Sequence, residues 1–164
     1  MKNWTAACEK PNTFNYLVFN RKTVPQYDDE SLPHQLILVG EDDLDDQEFL
    51  RDIFTSIDNS YRLLFVPNGT DILNHLARQR KEELPCLILL DYNMPGMTGL
   101  EILRELKNNE RYAKIPKIIW STSRSAADKD VCLQLGAVDY LVKPATVKEL
   151  TDICRYMLSN CTPN

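Results

Sequence analysis

The chain has 164 residues, of which 43% are hydrophobic and 26% are charged, as in an ordinary globular protein with a substantial core. A formal net charge of −5 without a basic stripe argues against a nucleic-acid-binding surface. The longest apolar runs have about five residues, and the N-terminus lacks an apolar stretch of signal-peptide length. We therefore expect a cytoplasmic protein that binds neither nucleic acid nor membrane.

Five cysteines and two histidines are spread along the chain without a Cys-x-x-Cys pair, which argues against a zinc site. Three of the cysteines, including Cys86 and Cys154, lie within apolar patterns. We predict that these three are small core residues and that the thiols are reduced.

Residues 1–34 differ from the rest in being rich in Asn, Thr, Lys and Pro, and the stretch at 24–33 resembles a linker. This composition predicts an N-terminal extension, which is either a flexible tail or an arm docked on the domain. The folded domain is predicted over residues 35–160, and residues 161–164 form a short tail.

From residue 35 onward, apolar runs alternate with apolar residues at helical spacing, which predicts five strands and five helices. The strands are predicted at 36–39, 61–66, 84–90, 117–120 and 137–142. The helices are marked by apolar residues within 49–57, 72–77, 100–106, 127–135 and 147–157. This alternation predicts an α/β fold with a parallel sheet and helices on both faces.

The last predicted helix has the clearest boundaries. Thr146, with Glu149 three residues later, is typical of a capping box at its start. The core face predicted for this helix consists of Val147, Leu150, Ile153, Cys154 and Met157.

Polar residues follow four of the predicted strands. Because the carboxyl ends of parallel strands meet at one edge of the sheet, we expect their side chains to lie close together. These residues are Glu41, Asp42 and Asp43 after the first strand, Asp91 after the third, Ser121 and Thr122 after the fourth, and Lys143 after the fifth.

This combination of residues favours phosphoryl transfer onto a carboxylate. Clustered carboxylates repel one another unless a cation lies among them, and an all-oxygen set with open positions suits Mg²⁺. Lys143 adds a positive charge for an anion, and a hydroxyl such as that of Ser121 donates to a phosphoryl oxygen. Asp91 would then be the nucleophile.

Four segments at predicted strand ends carry a resemblance to a known family. They are Glu-Asp-Asp at 41–43, Leu-Leu-Asp-Tyr-Asn-Met-Pro-Gly-Met-Thr-Gly at 89–99, Ile-Trp-Ser-Thr at 119–122 and Gly-Ala-Val-Asp-Tyr-Leu-Val-Lys-Pro at 136–144. In this order they resemble the receiver domain of bacterial two-component response regulators, of the stand-alone type, over roughly residues 35–160. The resemblance implies a flavodoxin-like (CheY-like) doubly wound sheet of five parallel strands in the order 2-1-3-4-5.

The resemblance also implies roles for individual residues. Asp91 accepts a phosphoryl group from a histidine kinase or phosphotransfer protein. Mg²⁺ is held by Asp42 directly, by Glu41 through water, by Asp91, and by the backbone carbonyl of Asn93.

Further implied roles belong to the residues after the fourth and fifth strands. Ser121 bonds the phosphoryl group and forms a switch with Tyr140, whose ring follows the hydroxyl inward. Lys143 pairs with a phosphoryl oxygen, and the peptide bond before Pro144 is expected to be cis.

Gly40 departs from the family pattern, which usually has an apolar β-branched residue there. We expect it to loosen the end of the first strand, which leaves the acidic pair as either Glu41–Asp42 or Asp42–Asp43. The first is preferred because residues 44–47 then open the first helix, where Asp45 and Asp46 are interpreted as charges stabilised by the helix dipole.

The chain after the last predicted helix is too short for an output domain, so we expect output through protein contact on the face of the fourth helix, fifth strand and fifth helix. A homodimer formed on phosphorylation stays open. No enzymatic activity is expected beyond self-catalysed phosphorylation and dephosphorylation of Asp91. The alternatives are an unphosphorylated interaction module and a haloacid-dehalogenase-type phosphohydrolase, which would need a second acid where Asn93 stands.

Overall fold

Five strands form one parallel sheet in the computed structural model of the chain, which describes residues 35–162. The strands are β1 Gln35–Gly40, β2 Tyr61–Val66, β3 Leu87–Asp91, β4 Lys117–Ser121 and β5 Asp139–Val142. Their order is β2-β1-β3-β4-β5, and each neighbouring pair is parallel, which confirms the predicted fold. The predicted N-terminal extension at 1–34 lies outside the described residues.

The five predicted helices are all present. The helices are α1 Leu44–Ile57, α2 Gly69–Arg78, α3 Gly99–Lys107, α4 Glu110–Ala113, α5 Ala126–Gln134 and α6 Val147–Ser159. The short helix α4 and a 3₁₀ turn at Lys81–Glu83 were not predicted, because three or four residues are too few to show a helical period. Within the described part of the chain, no helix is long and apolar enough to cross a membrane.

The central strand β3 separates two apolar clusters because successive side chains of a strand point to opposite faces. Ile88 and Leu90 face one cluster, and Leu87 and Leu89 face the other. The first cluster is completed by residues of α2, α3 and α5, including Ile72, Leu76, Ile102, Leu103, Leu106 and Cys132. The second is completed by residues of α1 and α6, including Leu50, Phe54, Leu150, Cys154 and Met157.

Most residues predicted to be buried are buried, including Cys86, Cys132 and Cys154. Val147 is the exception on α6, where its side chain is 64% exposed although it was predicted on the core face. It is the first residue of the helix, directly after the N-cap Thr146, and so precedes the turn at which Leu150 meets the sheet.

Gly40 does not loosen β1, and this expectation was wrong. It is buried and pairs with Val66 of β2 and with Leu90 of β3. A Cβ atom at this position would lie 2.5 Å from Cδ1 of Ile72 and 2.9 Å from Sδ of Met94. Gly40 therefore leaves room for the side chains of Ile72 and Met94 at the end of β1, and the strand keeps its register.

Candidate functional site

Four charged side chains meet at the carboxyl end of the sheet. Nζ of Lys143 donates hydrogen bonds to Oε2 of Glu41 at 2.8 Å, to Oδ2 of Asp46 at 2.7 Å and to Oδ2 of Asp91 at 2.9 Å. Glu41 is fully buried, and Asp91 is 8% exposed. The ends of β1, β3 and β5 and the first turn of α1 are thus joined through one ammonium group.

Burial sets the electrostatics of this cluster. It raises the pKa of Glu41 to about 7, although the hydrogen bond and the charge of Lys143 act in the opposite direction. Burial also disfavours the charged form of Lys143, but the hydrogen bonds to Asp46, Glu41 and Asp91 outweigh it and raise the pKa of that amine. Lys143 therefore stays protonated, and its single positive charge faces three carboxyl groups.

The structure brings Glu41, Asp42 and Asp91 together. Each offers a carboxylate oxygen, and these oxygens all lie within 4.8 Å of one another. Asp43 instead caps α1, where its Oδ1 accepts from the backbone N–H groups of Asp45 at 2.8 Å and Asp46 at 3.2 Å. The geometry thus favours Glu41–Asp42 as the acidic pair.

The oxygen set fits a hard divalent cation. Three carboxylates whose oxygens lie within 4.8 Å of one another repel, and burial raises the pKa of Glu41, so a bound cation would stabilise the charged form of this group. Asp42 is exposed, which leaves positions on a bound ion for water or phosphate, as Mg²⁺ prefers. Glu41, Asp42 and Asp91 would hold the ion.

The turn after β3 orients Asp91. The backbone N–H of Asn93 donates to Oδ1 of Asp91 at 3.1 Å, which fixes the carboxylate and leaves Oδ2 toward Lys143. A Cβ on Gly99 would lie 2.5 Å from the carbonyl oxygen of Asp91, so only glycine allows α3 to begin this close to the strand. The proposed ligand role of the Asn93 carbonyl stays a prediction.

The predicted switch residues are joined by the backbone of Ser123. Ser121 is fully buried, and its Oγ accepts from the backbone N–H of Ser123 at 3.1 Å. The Tyr140 hydroxyl donates to the carbonyl oxygen of the same residue at 3.1 Å. The Tyr140 ring is 3% exposed and meets Tyr92 edge-on, with 6.1 Å between ring centroids.

The segment after β5 departs from expectation in one respect. Within residues 35–162 no peptide bond is cis, so the predicted cis bond between Lys143 and Pro144 was wrong. The trans form is the intrinsically favoured one, even before proline. The backbone N–H of Lys143 donates to the carbonyl of Ser121 at 2.7 Å, and this bond aligns the segment with the end of β4.

Two site residues were missed from the sequence. Asp46 was assigned to the helix dipole alone, yet its carboxylate contacts Lys143. Asp46 lies in the first turn of α1, which follows the N-cap Asp43. At this position the sequence does not distinguish a carboxylate that only stabilises the helix from one that also contacts the site. Ser123 was missed because its contribution is made by the backbone.

An apolar cavity adjoins the charged cluster. It has a volume of about 180 Å³ and lies between α1 and the start of α6; we call it the Phe49 cavity. The residues that line it are Asp46, Phe49, Leu50, Trp120, Lys143, Pro144, Ala145, Thr146, Val147 and Leu150. Phe49 is 56% exposed at its edge, and the indole N–H of Trp120 is buried without a hydrogen-bond partner.

Comparison with known proteins agrees with this geometry. The family model described as the response regulator receiver domain matches residues 37–155. The chain is 30% identical over 137 residues to the two-component response regulator ORR3 of Oryza sativa subsp. indica, with 84% of this chain and 96% of ORR3 covered. Such relatives include plant proteins, so the predicted bacterial origin stays a prediction.

Solved structures give the same result. The phosphorylated cyanobacterial phytochrome response regulator RcpA has a TM-score of 0.69 and 27% identity, covering 79% of this chain and 97% of RcpA. The receiver domain of the sensor histidine kinase PA1611 from Pseudomonas aeruginosa PAO1, with magnesium in its active-site cleft, has a TM-score of 0.61 and 30% identity. The match covers 76% of this chain and 98% of the PA1611 receiver chain.

The fold and the site define a receiver-type signalling domain of the two-component class. The chain belongs to the response regulator receiver domain family.

Proposed function

We propose that Asp91 accepts a phosphoryl group, with the help of Mg²⁺, from a histidine kinase or a histidine phosphotransfer protein. The observation that carries this proposal is the convergence of Asp91 with Lys143 and with the Glu41–Asp42 pair. The relatives support it, since RcpA was solved in a phosphorylated form and the PA1611 receiver holds magnesium.

In the transfer, an oxygen of Asp91 attacks phosphorus while the bond from phosphorus to the donor's histidine nitrogen breaks. Oδ1 is held by the Asn93 N–H, and Oδ2 faces Lys143. Lys143 leaves its carboxylate partners to pair with a phosphoryl oxygen, and the Ser121 hydroxyl donates to another. Mg²⁺, when bound by Glu41, Asp42 and Asp91, supplies the charge that neutralises the remaining phosphoryl oxygens.

The phosphodonor docks over the Phe49 cavity. This cavity shares Asp46 and Lys143 with the charged cluster, so a protein that covers it is placed beside Asp91. Val147 and Phe49 are exposed apolar side chains at its edge, and exposed apolar groups next to a reactive site favour a protein contact.

The signal leaves through the switch and the face formed by α5, β5 and α6. A phosphoryl group adds about −1.5 to −2 charge and draws the Ser121 hydroxyl from the Ser123 N–H, which frees the backbone that holds Tyr140. Exposed apolar residues on or near this face support a protein target: Val131, Leu133, Val138 and Tyr156.

A homodimer formed on phosphorylation is the alternative output. Activity is confined to the protein's own phosphorylation and dephosphorylation.

Mass spectrometry after incubation with Mg²⁺ and acetyl phosphate tests the proposal. We expect one added phosphoryl group per chain, absent without Mg²⁺ and absent in Asp91→Asn. If neither an adduct nor binding of beryllofluoride is seen, the domain is an unphosphorylated interaction module. Rapid multiple turnover of a phosphomonoester would instead indicate a hydrolase.

A further inference from the structure

Two cysteines meet at the end of the sheet opposite Asp91. Cys86 directly precedes β3 and is 2% exposed, whereas Cys161 follows α6 and is half-buried. Both belong to the apolar cluster between the sheet and the α1–α6 pair. Each thiol shifts the pKa of the other, which is lowered for Cys86 and raised for Cys161, so the two side chains lie within interacting distance.

The backbone holds this pair together independently of the thiols. The backbone N–H of Thr162 donates to the carbonyl oxygen of Cys86 at 3.3 Å, which places the residue after Cys161 directly beside Cys86. Cys161 lies beyond Ser159, the last residue of α6, so its side chain can turn toward a partner without distorting a helix. A disulfide needs two backbones that lie close together, and the bond from Thr162 to Cys86 together with the shared apolar cluster brings the two cysteines near each other.

The other described cysteines differ from this pair. Cys132 and Cys154 are fully buried, and the pKa of each thiol is raised by burial with no thiol partner involved. The hydrogen bond from Cys161 instead lowers the pKa of the Cys86 thiol, which favours a thiolate within the pair.

We propose that Cys86 and Cys161 are a modification site, at which a peroxide converts the two thiols into an intramolecular disulfide. The sulfur of one cysteine attacks a peroxide oxygen, the O–O bond breaks, and a sulfenic acid and one water form. The second sulfur then attacks the first, the S–O bond breaks, and a second water leaves. Overall, two thiols are oxidised to one disulfide while one hydrogen peroxide is reduced to two waters.

The disulfide would connect the end of α6 to the start of β3. It would close the chain between residues 86 and 161, which includes most of the receiver domain, and so restrict the unfolded state. Asp91 lies at the other end of β3 and contacts neither sulfur, so this inference does not rest on the proposed function.

The test is to treat the full chain with hydrogen peroxide and to analyse it by intact mass, non-reducing peptide mapping and thermal unfolding. We expect a monomer lighter by two hydrogen atoms, a peptide linking Cys86 to Cys161, and a melting temperature higher by about 5–15 °C. Dithiothreitol should reverse all three changes.

Variants assign the bond. Cys161→Ser, at a half-buried position after the helix, should fold and lose both the linked peptide and the thermal shift; Cys86→Ser should do the same if it folds. Cys8→Ser, the control, also removes one thiol and should keep both the linked peptide and the thermal shift. Oxygen addition at Cys161 without a linked peptide, or a peptide linking any other pair, would overturn the proposal.

Discussion

Lys143 donates to Oδ2 of Asp46 across 2.7 Å, so α1 and the segment after β5 are held together beside Asp91. In the proposed transfer, Lys143 shifts from its carboxylate partners to a phosphoryl oxygen. Asp46 competes with the phosphoryl group for this lysine without being a nucleophile or a proposed metal ligand. We therefore expect this contact to oppose phosphorylation of Asp91.

Asp46→Asn should raise the phosphorylated fraction at steady state. The Asp46–Lys143 ion pair is partly exposed, and such a pair is worth about 0.2–1 kcal/mol. Its loss corresponds to a change of roughly 1.5- to 5-fold in the phosphorylation equilibrium of Asp91. Phosphorylation by acetyl phosphate, followed by Phos-tag electrophoresis, measures it. Asp45→Asn changes the net charge equally and should have no effect; equal effects of both variants would show that overall charge, and not the Lys143 contact, is responsible.

Glu41 should make stability depend on pH when divalent ions are absent. Its folded-state pKa of about 7 lies above the unfolded value of 4.5, so its contribution to folding is complete below pH 4.5 and is lost as the pH rises to 7. We expect the free energy of unfolding to fall by up to about 3 kcal/mol over this range. Urea unfolding of the wild type and of Glu41→Gln measures it. The variant should lack this part of the pH dependence, and parallel curves would contradict the assignment.

Tyr140→Phe should remove the hydrogen bond to Ser123 and keep the ring in place. The Ser123 carbonyl then loses its tyrosine donor, which costs about 1 kcal/mol of stability. Chemical denaturation reports the change, with Tyr156→Phe on the exposed side of α6 as the control. A loss no larger than that of the control would mean that the hydroxyl contributes nothing to holding the ring.

Gly40→Ala should destabilise the domain by about 1–3 kcal/mol, because the new Cβ would lie 2.5 Å from Cδ1 of Ile72. Ile72→Val removes that Cδ1 atom. The double variant should therefore be more stable than the sum of the single changes predicts, which thermal unfolding of all four proteins in a double-mutant cycle measures. Strict additivity would show that the two side chains do not collide.

Phe49→Ala should slow phosphorylation by a protein donor and leave phosphorylation by acetyl phosphate unchanged. The Phe49 side chain is exposed at the cavity edge, so its truncation removes contact with a docked partner and leaves the residues around Asp91 unchanged. We expect a loss of about 5- to 30-fold in phosphotransfer efficiency from a histidine phosphotransfer protein active on the wild type. Val131→Ala on α5 is the control. An equal loss with both donors would place the defect in the site itself.

Much of the fold follows from the sequence because its signals are strong. The short apolar run before Asp91, which follows a proline and ends in a Pro-Gly turn, predicts a buried strand, and β3 is buried over its whole length. The carboxyl-end rule then places Asp91 beside Glu41 and Lys143, and the structure brings all three together.

The errors have identifiable physical causes. Val147 matches the helical period of α6, yet the period does not say which turns of the helix are covered, and this first residue is exposed. Gly40 looks like a weak point in a strand because its neighbours Ile72 and Met94 come from later parts of the chain. The reciprocal capping box of Thr98 and Glu101 at the start of α3 was not predicted.

The two proposed switch residues are connected through the backbone of one residue and not through its side chain. The N–H and the carbonyl of Ser123 hold Ser121 and Tyr140, while the Ser123 hydroxyl only accepts from the backbone of Ser125. Any residue other than proline, which lacks the N–H, can supply these two groups. The side chain at position 123 can therefore vary while both backbone bonds are kept. A comparison of sequences would pass over the residue that links Ser121 to Tyr140.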